Sequence, residues 1–84
     1  MSNNEYALQD AHVKIGTKQT LKTVELGLAS EVYLAQDADP RLASRLLELC
    51  NRREVKVTLV ATMQELGKAC GIEVGAAMAA IVKQ

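Results

Sequence analysis

Three times along this chain a short aliphatic run is followed by a helix-start signal, a rhythm that restricts the fold to one in which strands alternate with helices. Val13-Lys14-Ile15 precedes Gly16-Thr17, the run from Glu31 to Ala35 precedes Asp39-Pro40, and Val55 to Leu59 precedes Thr62-Met63-Gln64-Glu65. Gly16 breaks the first run and Thr17 is placed to cap a helix reaching about Leu26. Asp is a strong N-cap and Pro suits the first helical position, so the second helix starts at Pro40 and runs to about Arg53. Thr62 with Glu65 three residues on is a capping box. Gly27 and Gly71 fall where glycine ends helices one and three.

Spacing assigns faces to these elements. Leu21, Val24 and Leu28 share one side of the first helix, while Lys18, Lys22 and Glu25 share the other. Leu42, Leu46, Leu49 and Cys50 form the buried stripe of the second. Val32 and Leu34 lie on one side of their strand, and Val55, Val57 and Leu59 alternate with Lys56 and Thr58. Residues 5 to 11 suit a short opening helix with Leu8 and Ala11 inward. Ala76 to Val82 reads both ways: alanine favours helix, but a short apolar run after Gly75 also suits a buried central strand. Alternation upstream favours the strand. The expectation is a four-stranded sheet covered by helices on both faces.

With 84 residues there is room for one domain, spanning 1–84, that buries about 60–65% of its unfolded surface. The apolar share of 49% supplies one thin core. Nearly all of it is aliphatic, Tyr6 and Tyr33 being the only aromatic residues. A protein that stacks successive bases on exposed rings needs more than that, so any nucleic acid must be held through shape, base edges and phosphates. Charges cancel to zero, so attraction of a polyanion rests on local clusters. From Val13 to Thr23 the only charges are Lys14, Lys18 and Lys22; Lys68 lies further on, between Glu65 and Glu73.

Cys50 and Cys70 read as reduced, buried thiols, and with the single His12 they do not make a metal site. Asp37 and Asp39 together resemble a hard-cation site, but Asp39 is needed as a helix cap. No secretory leader or membrane span is expected, which makes the chain cytoplasmic. No nucleophile–base pair, cofactor loop or metal constellation is recognisable, so no catalytic residue, cofactor or metal is assigned and the chain is read as non-enzymatic.

Two segments stand out. Gly16-Thr17-Lys18-Gln19-Thr20-Leu21-Lys22 puts amide and ammonium donors at a helix start, a natural seat for phosphate. By spacing alone an ordinary solvated face is the commoner outcome, and the glycine spacing is not that of a phosphate loop. In Gly71-Ile72-Glu73-Val74-Gly75 the two branched residues either fold beneath the loop, the commoner fate, or form an apolar shelf for an extruded base. Arg41, Arg45 and Arg52, with Glu48 and Glu54 nearby, read as the soluble outside of their helix.

Ile15-Gly16-Thr17-Lys18-Gln19-Thr20-Leu21-Lys22, Asp37-Ala38-Asp39-Pro40, Leu66-Gly67-Lys68-Ala69-Cys70-Gly71-Ile72-Glu73-Val74 and the Ala76–Val82 tail together carry a resemblance. The chain resembles the ribosomal protein L-seven-Ae superfamily of kink-turn RNA binders, especially its small stand-alone bacterial members of the YbxF type, from about Asp10 to Val82. The resemblance implies a three-layer α/β/α sandwich with a small four-stranded mixed sheet, and makes Ala76–Val82 a strand. It implies as partner a structured RNA that bends at a bulge beside tandem sheared guanine–adenine pairs. Carried over, Gly16 allows close backbone approach beside Thr17, Lys18 and Gln19 reach base edges, and Lys22 binds edges or phosphate. Ile72, Glu73 and Val74 form the loop over the bulge. Archaeal and eukaryotic members show Asn-Glu where this chain has Lys18-Gln19. An acidic acceptor has become a neutral amide and an amide a cation, so base contacts should weaken and the phosphate contribution grow.

The expected function is therefore a kink-turn clamp on structured RNA, ribosome-associated, acting as a monomer away from membranes. If Lys14, Lys18 and Lys22 each neutralise one phosphate, affinity should fall about forty-fold between roughly 50 and 200 mM salt. The alternative is a protein-interaction subunit that docks through the helix from Pro40 to Arg53 on a ribosomal or enzymatic partner without touching RNA.

Overall fold

The structure, a computed structural model, describes residues 12–83; the opening helix expected over residues 5 to 11 lies outside the described residues. The order is β1 (Val13–Ile15), α1 (Thr17–Glu25), β2 (Ala29–Ala35), α2 (Pro40–Arg53), β3 (Lys56–Val60), α3 (Met63–Ala69) and β4 (Met78–Val82). The strands form one sheet in the order β1-β4-β2-β3. β4 runs antiparallel to both β1 and β2, and β3 runs parallel to β2. Three strands thus point one way, each followed by a helix, and the last returns between two of them.

Alternation along β2 builds two cores. Val32 and Leu34 join Val24 of α1, Leu46 and Cys50 of α2, and Met78 and Ala80 of β4. Tyr33 and Ala35 join Leu66, Ala69 and Cys70 on the α3 side, with Val60, Ala76 and Ala79. Helices α1 and α2 therefore cover one face and α3 the other, giving the expected three layers. β4 is a strand although alanine-rich. Its neighbours on both edges take up its backbone hydrogen bonds, and Ala79 and Ala80 are fully buried between the two helical layers. Tertiary pairing overrides alanine's helical preference here.

Several expectations are corrected in detail. The N-cap of α1 is Gly16, not Thr17, at φ +102 and with no side-chain cap. Leu28 lies beyond the helix and is exposed, as is Leu26; α1 instead buries Thr20 and Thr23 beside Val24. Each threonine hydroxyl has a carbonyl acceptor, Thr20 Oγ1 donating to Lys14 O at 3.4 Å and Thr23 Oγ1 to Gln19 O at 2.7 Å. A satisfied hydroxyl can be buried like a small hydrophobe, which periodicity of aliphatic residues does not register. Leu59 is exposed because β3 is the sheet edge, and Leu42 and Leu49 are only half-buried.

Other local signals hold. Asp39 Oδ1 accepts from Arg41 N at 2.8 Å and Thr62 Oγ1 from Glu65 N at 3.0 Å. Gly27 and Gly71 take positive φ at the ends of α1 and α3. Both cysteines are free and buried, and burial pushes each thiol's pKa up.

Candidate nucleic-acid interface

Because β1, β2 and β3 share a direction, the starts of α1, α2 and α3 gather at one end of the sheet, where β4 also begins. Open α/β sheets commonly place ligands beyond the carboxyl ends of such strands. Hydrogen bonds between the segments tie this end together. Gly16 N donates to Met78 O at 3.0 Å, Ala35 N to Ala77 O at 2.9 Å, and Met63 N to Asp37 Oδ1 at 2.8 Å. The last contact gives Asp37 a structural role as a cap on α3, supplied from the loop before α2. No group of three or more His, Cys, Asp or Glu residues among the described residues is placed to hold a metal ion.

The α1 start is open. Gly16 leaves it without a side-chain cap, and the amides of Thr17, Lys18 and Gln19 have no partner among the described residues. Such a terminus carries about half a positive charge. Lys18, Gln19 and Lys22 are all exposed, because Thr20, Thr23 and Val24 hold the opposite face against the sheet. Thr17, Lys18 and Lys22, with Leu21 and Glu25, line a groove of about 550 Å³ whose far wall is Arg45 of α2. Spacing alone had assigned Arg45 to an unremarkable outer face; packing of α2 beside α1 sets it opposite Lys18 and Lys22. Lys14 lies elsewhere, in a depression with His12, Val13 and Val82.

The second segment, residues 71–77, leaves α3 and enters β4 at Met78. Gly71 turns at φ +82 and Ile72 N donates back to Gly67 O at 3.0 Å. Ile72 is half-buried against the α3-side core, whereas Val74 is 70% exposed and Glu73 lies beside it in solvent. The two branched residues thus split between the outcomes open to them: one folds beneath the loop and the other stands out. Gly67 makes this possible. A Cβ there would overlap the Val74 carbonyl oxygen and lie 3.1 Å from Gly75 Cα, so only glycine lets the loop rest on α3. The Gly16–Met78 bond brings the exit of this loop to the start of α1.

Residues 2–84 match the model of the Ribosomal protein L7Ae/L30e/S12e/Gadd45 family. The chain belongs to that family. Among L7Ae-family relatives, the RNA-binding protein YbxF of Geobacillus stearothermophilus is 44% identical over 79 residues, covering 94% of this chain and 96% of its own. The large ribosomal subunit protein eL8 of Halobacterium salinarum is 42% identical over 79 residues, covering 93% of this chain and 66% of its own. In structure the chain is similar to the Giardia lamblia 15.5kD RNA binding protein, with a TM-score of 0.81 and 29% identity over 100% of this chain and 79% of that one. The resemblance seen in the motifs and the L7Ae-type fold both stand. Gly67 and Asp37, which shape the loop and brace the helix starts, lay inside the motifs quoted for that resemblance, but only contacts reveal their work.

Proposed function

We propose that this L7Ae-family protein is a non-catalytic RNA-binding module that stabilises kink-turns, acting as a monomer on structured RNA and at the ribosome in the cytoplasm. Family membership supports RNA as the ligand, since relatives carry that activity in their names. The observation that carries the finer reading is the meeting of the open α1 start with the loop bearing Val74, through Gly16 and Met78. One ligand that is both bent and bulged would touch the two together.

In this reading Gly16 and Thr17 bring backbone amides to the RNA. Lys18 and Gln19 reach the edges of the sheared pairs, and Lys22 holds an edge or a phosphate. Ile72 supports the loop from below, while Glu73 and Val74 face the extruded nucleotide. Gln19 offers both donor and acceptor where an acid would only accept, so selectivity for guanine edges is reduced and the cationic contribution raised. The protein binds the kinked form better than the extended one, and shifts that equilibrium by its differential affinity.

A fluorescence-transfer assay on a doubly labelled kink-turn duplex tests this. Wild-type protein should close the duplex, while Lys22→Ala and Gln19→Ala weaken closure with thermal stability nearly unchanged, both side chains being exposed. Val74→Asp should reduce binding to the bulged RNA more than to a plain duplex. Equal closure by wild type and all three variants would refute the site.

A further inference from the structure

We infer that the groove between α1 and α2 is a phosphate track, beginning at Lys18 and Lys22 and crossing onto α2 through Arg45 to Arg52, so that an RNA stem lies along it. This rests on the RNA-binding reading and extends it to a helix that reading does not use.

The track is continuous. The depression holding Lys18, Lys22 and Arg45 shares Glu25 with a second one, further along the same helix pair, that holds Leu49, Arg52 and Arg53. Half-buried Leu21 and Leu49 line its apolar parts. Helical rise separates Lys18 from Lys22 by about 6 Å, inside the Debye length of roughly 8 Å at physiological salt, and Arg45 from Arg52 by about 10 Å, a little beyond it. The guanidinium groups are also uncommitted. The one ion pair among the described residues is Arg41–Asp39, at 3.8 Å; Arg45 and Arg52 pair with no described carboxylate, although Glu25 and Glu48 are near in the chain or groove. Glu25 lines both depressions but lies outside ion-pair range of either arginine, and a guanidinium held beside apolar surface with no carboxylate in ion-pair range is suited to bidentate contact with phosphate. Continuity with Lys18 and Lys22 favours RNA over an acidic protein as the occupant.

Salt dependence measures the track. On RNA already held bent, Lys18 and Lys22 alone would give about a twelve-fold loss of affinity between roughly 50 and 200 mM salt; adding Arg45 and Arg52 raises this to about 150-fold. Arg45→Gln should bring the loss to about forty-fold, and Arg45→Gln with Arg52→Gln to about twelve-fold. Cutting back each stem of the duplex in turn should abolish the effect of these substitutions for one stem only. An unchanged slope in the double variant, with Lys22→Ala still impaired, overturns the track and leaves α2 as a protein-docking face. If wild-type protein does not prefer bent RNA to plain duplex, the functional reading falls, and the track with it.

Discussion

At the scale of single residues, the glycines decide how close two backbones come. Gly67 is an interior helical position where alanine would ordinarily gain about 0.5–1 kcal/mol. Here its Cβ would meet the backbone carbonyl of Val74, which cannot move aside as a flexible side-chain tip would. Gly67→Ala should therefore lower stability by about 1–3 kcal/mol despite its better propensity. Thermal melting checks the sign; an increase would mean that the loop does not rest on α3. Val74 would move with the loop, so recognition of a bulge should suffer beyond the loss of stability. Lys18, Gln19 and Lys22 are different in kind: they touch solvent and cost the fold little to change.

At the scale of elements, caps and termini set the boundaries. α2 ends at Glu54 in a left-handed conformation, φ 58 and ψ 44, with Val55 N donating to Cys50 O at 2.9 Å. A side chain in that region costs about 1–2 kcal/mol that glycine avoids, and a carboxylate there also faces the negative end of the helix dipole. Glu54→Gly should raise stability by about 1 kcal/mol, an increase in melting temperature of about 4–8 °C for a chain of this size. Glu54→Ala separates the causes, because it removes the charge and keeps the backbone strain. Equal gains from both would assign the effect to charge. The α1 start works the opposite way: Gly16 relieves strain but supplies no cap, and the amides it leaves open are those proposed to meet RNA.

At the scale of the whole molecule, two thin cores share one sheet, and each holds a cysteine. Burial raises both thiol pKa values above the ordinary 9.0, so the folded protein keeps protons that the unfolded chain releases. Stability from this source is full below about pH 9 and is lost as pH rises through the folded-state values. The urea midpoint should accordingly show a thiol-dependent fall only above about pH 9, and that fall should shrink when both cysteines are alanine. An equal decline in that variant would exclude the thiols as its cause. None of the described helices is long and apolar enough to cross a membrane.

Much of this architecture was legible locally. Asp39-Pro40, the Thr62–Glu65 box, Gly27 and Gly71 act over three or four residues, so their signals survive without knowledge of any partner. The same holds for the exposure of Lys18 and Lys22, one turn apart on the side opposite Val24. What no local pattern carried was burial that depends on a distant neighbour. Thr20 and Thr23 go inward because that side of α1 packs on the sheet, their hydroxyls being satisfied nearby in the chain by the carbonyls of Lys14 and Gln19; Leu28 stays out because α1 has already ended. Val74 stands clear because Gly67, seven residues earlier, has no side chain. Arg45 becomes part of a cationic groove only when α2 packs beside α1. The amino-acid sequence by itself thus determined the first three strands, the starts of α2 and α3 and the covering of one sheet by helices on both faces, through short-range hydrogen bonding and apolar spacing. Only tertiary packing, which sets contacts between residues far apart in the chain, decided which charges and apolar side chains share one surface.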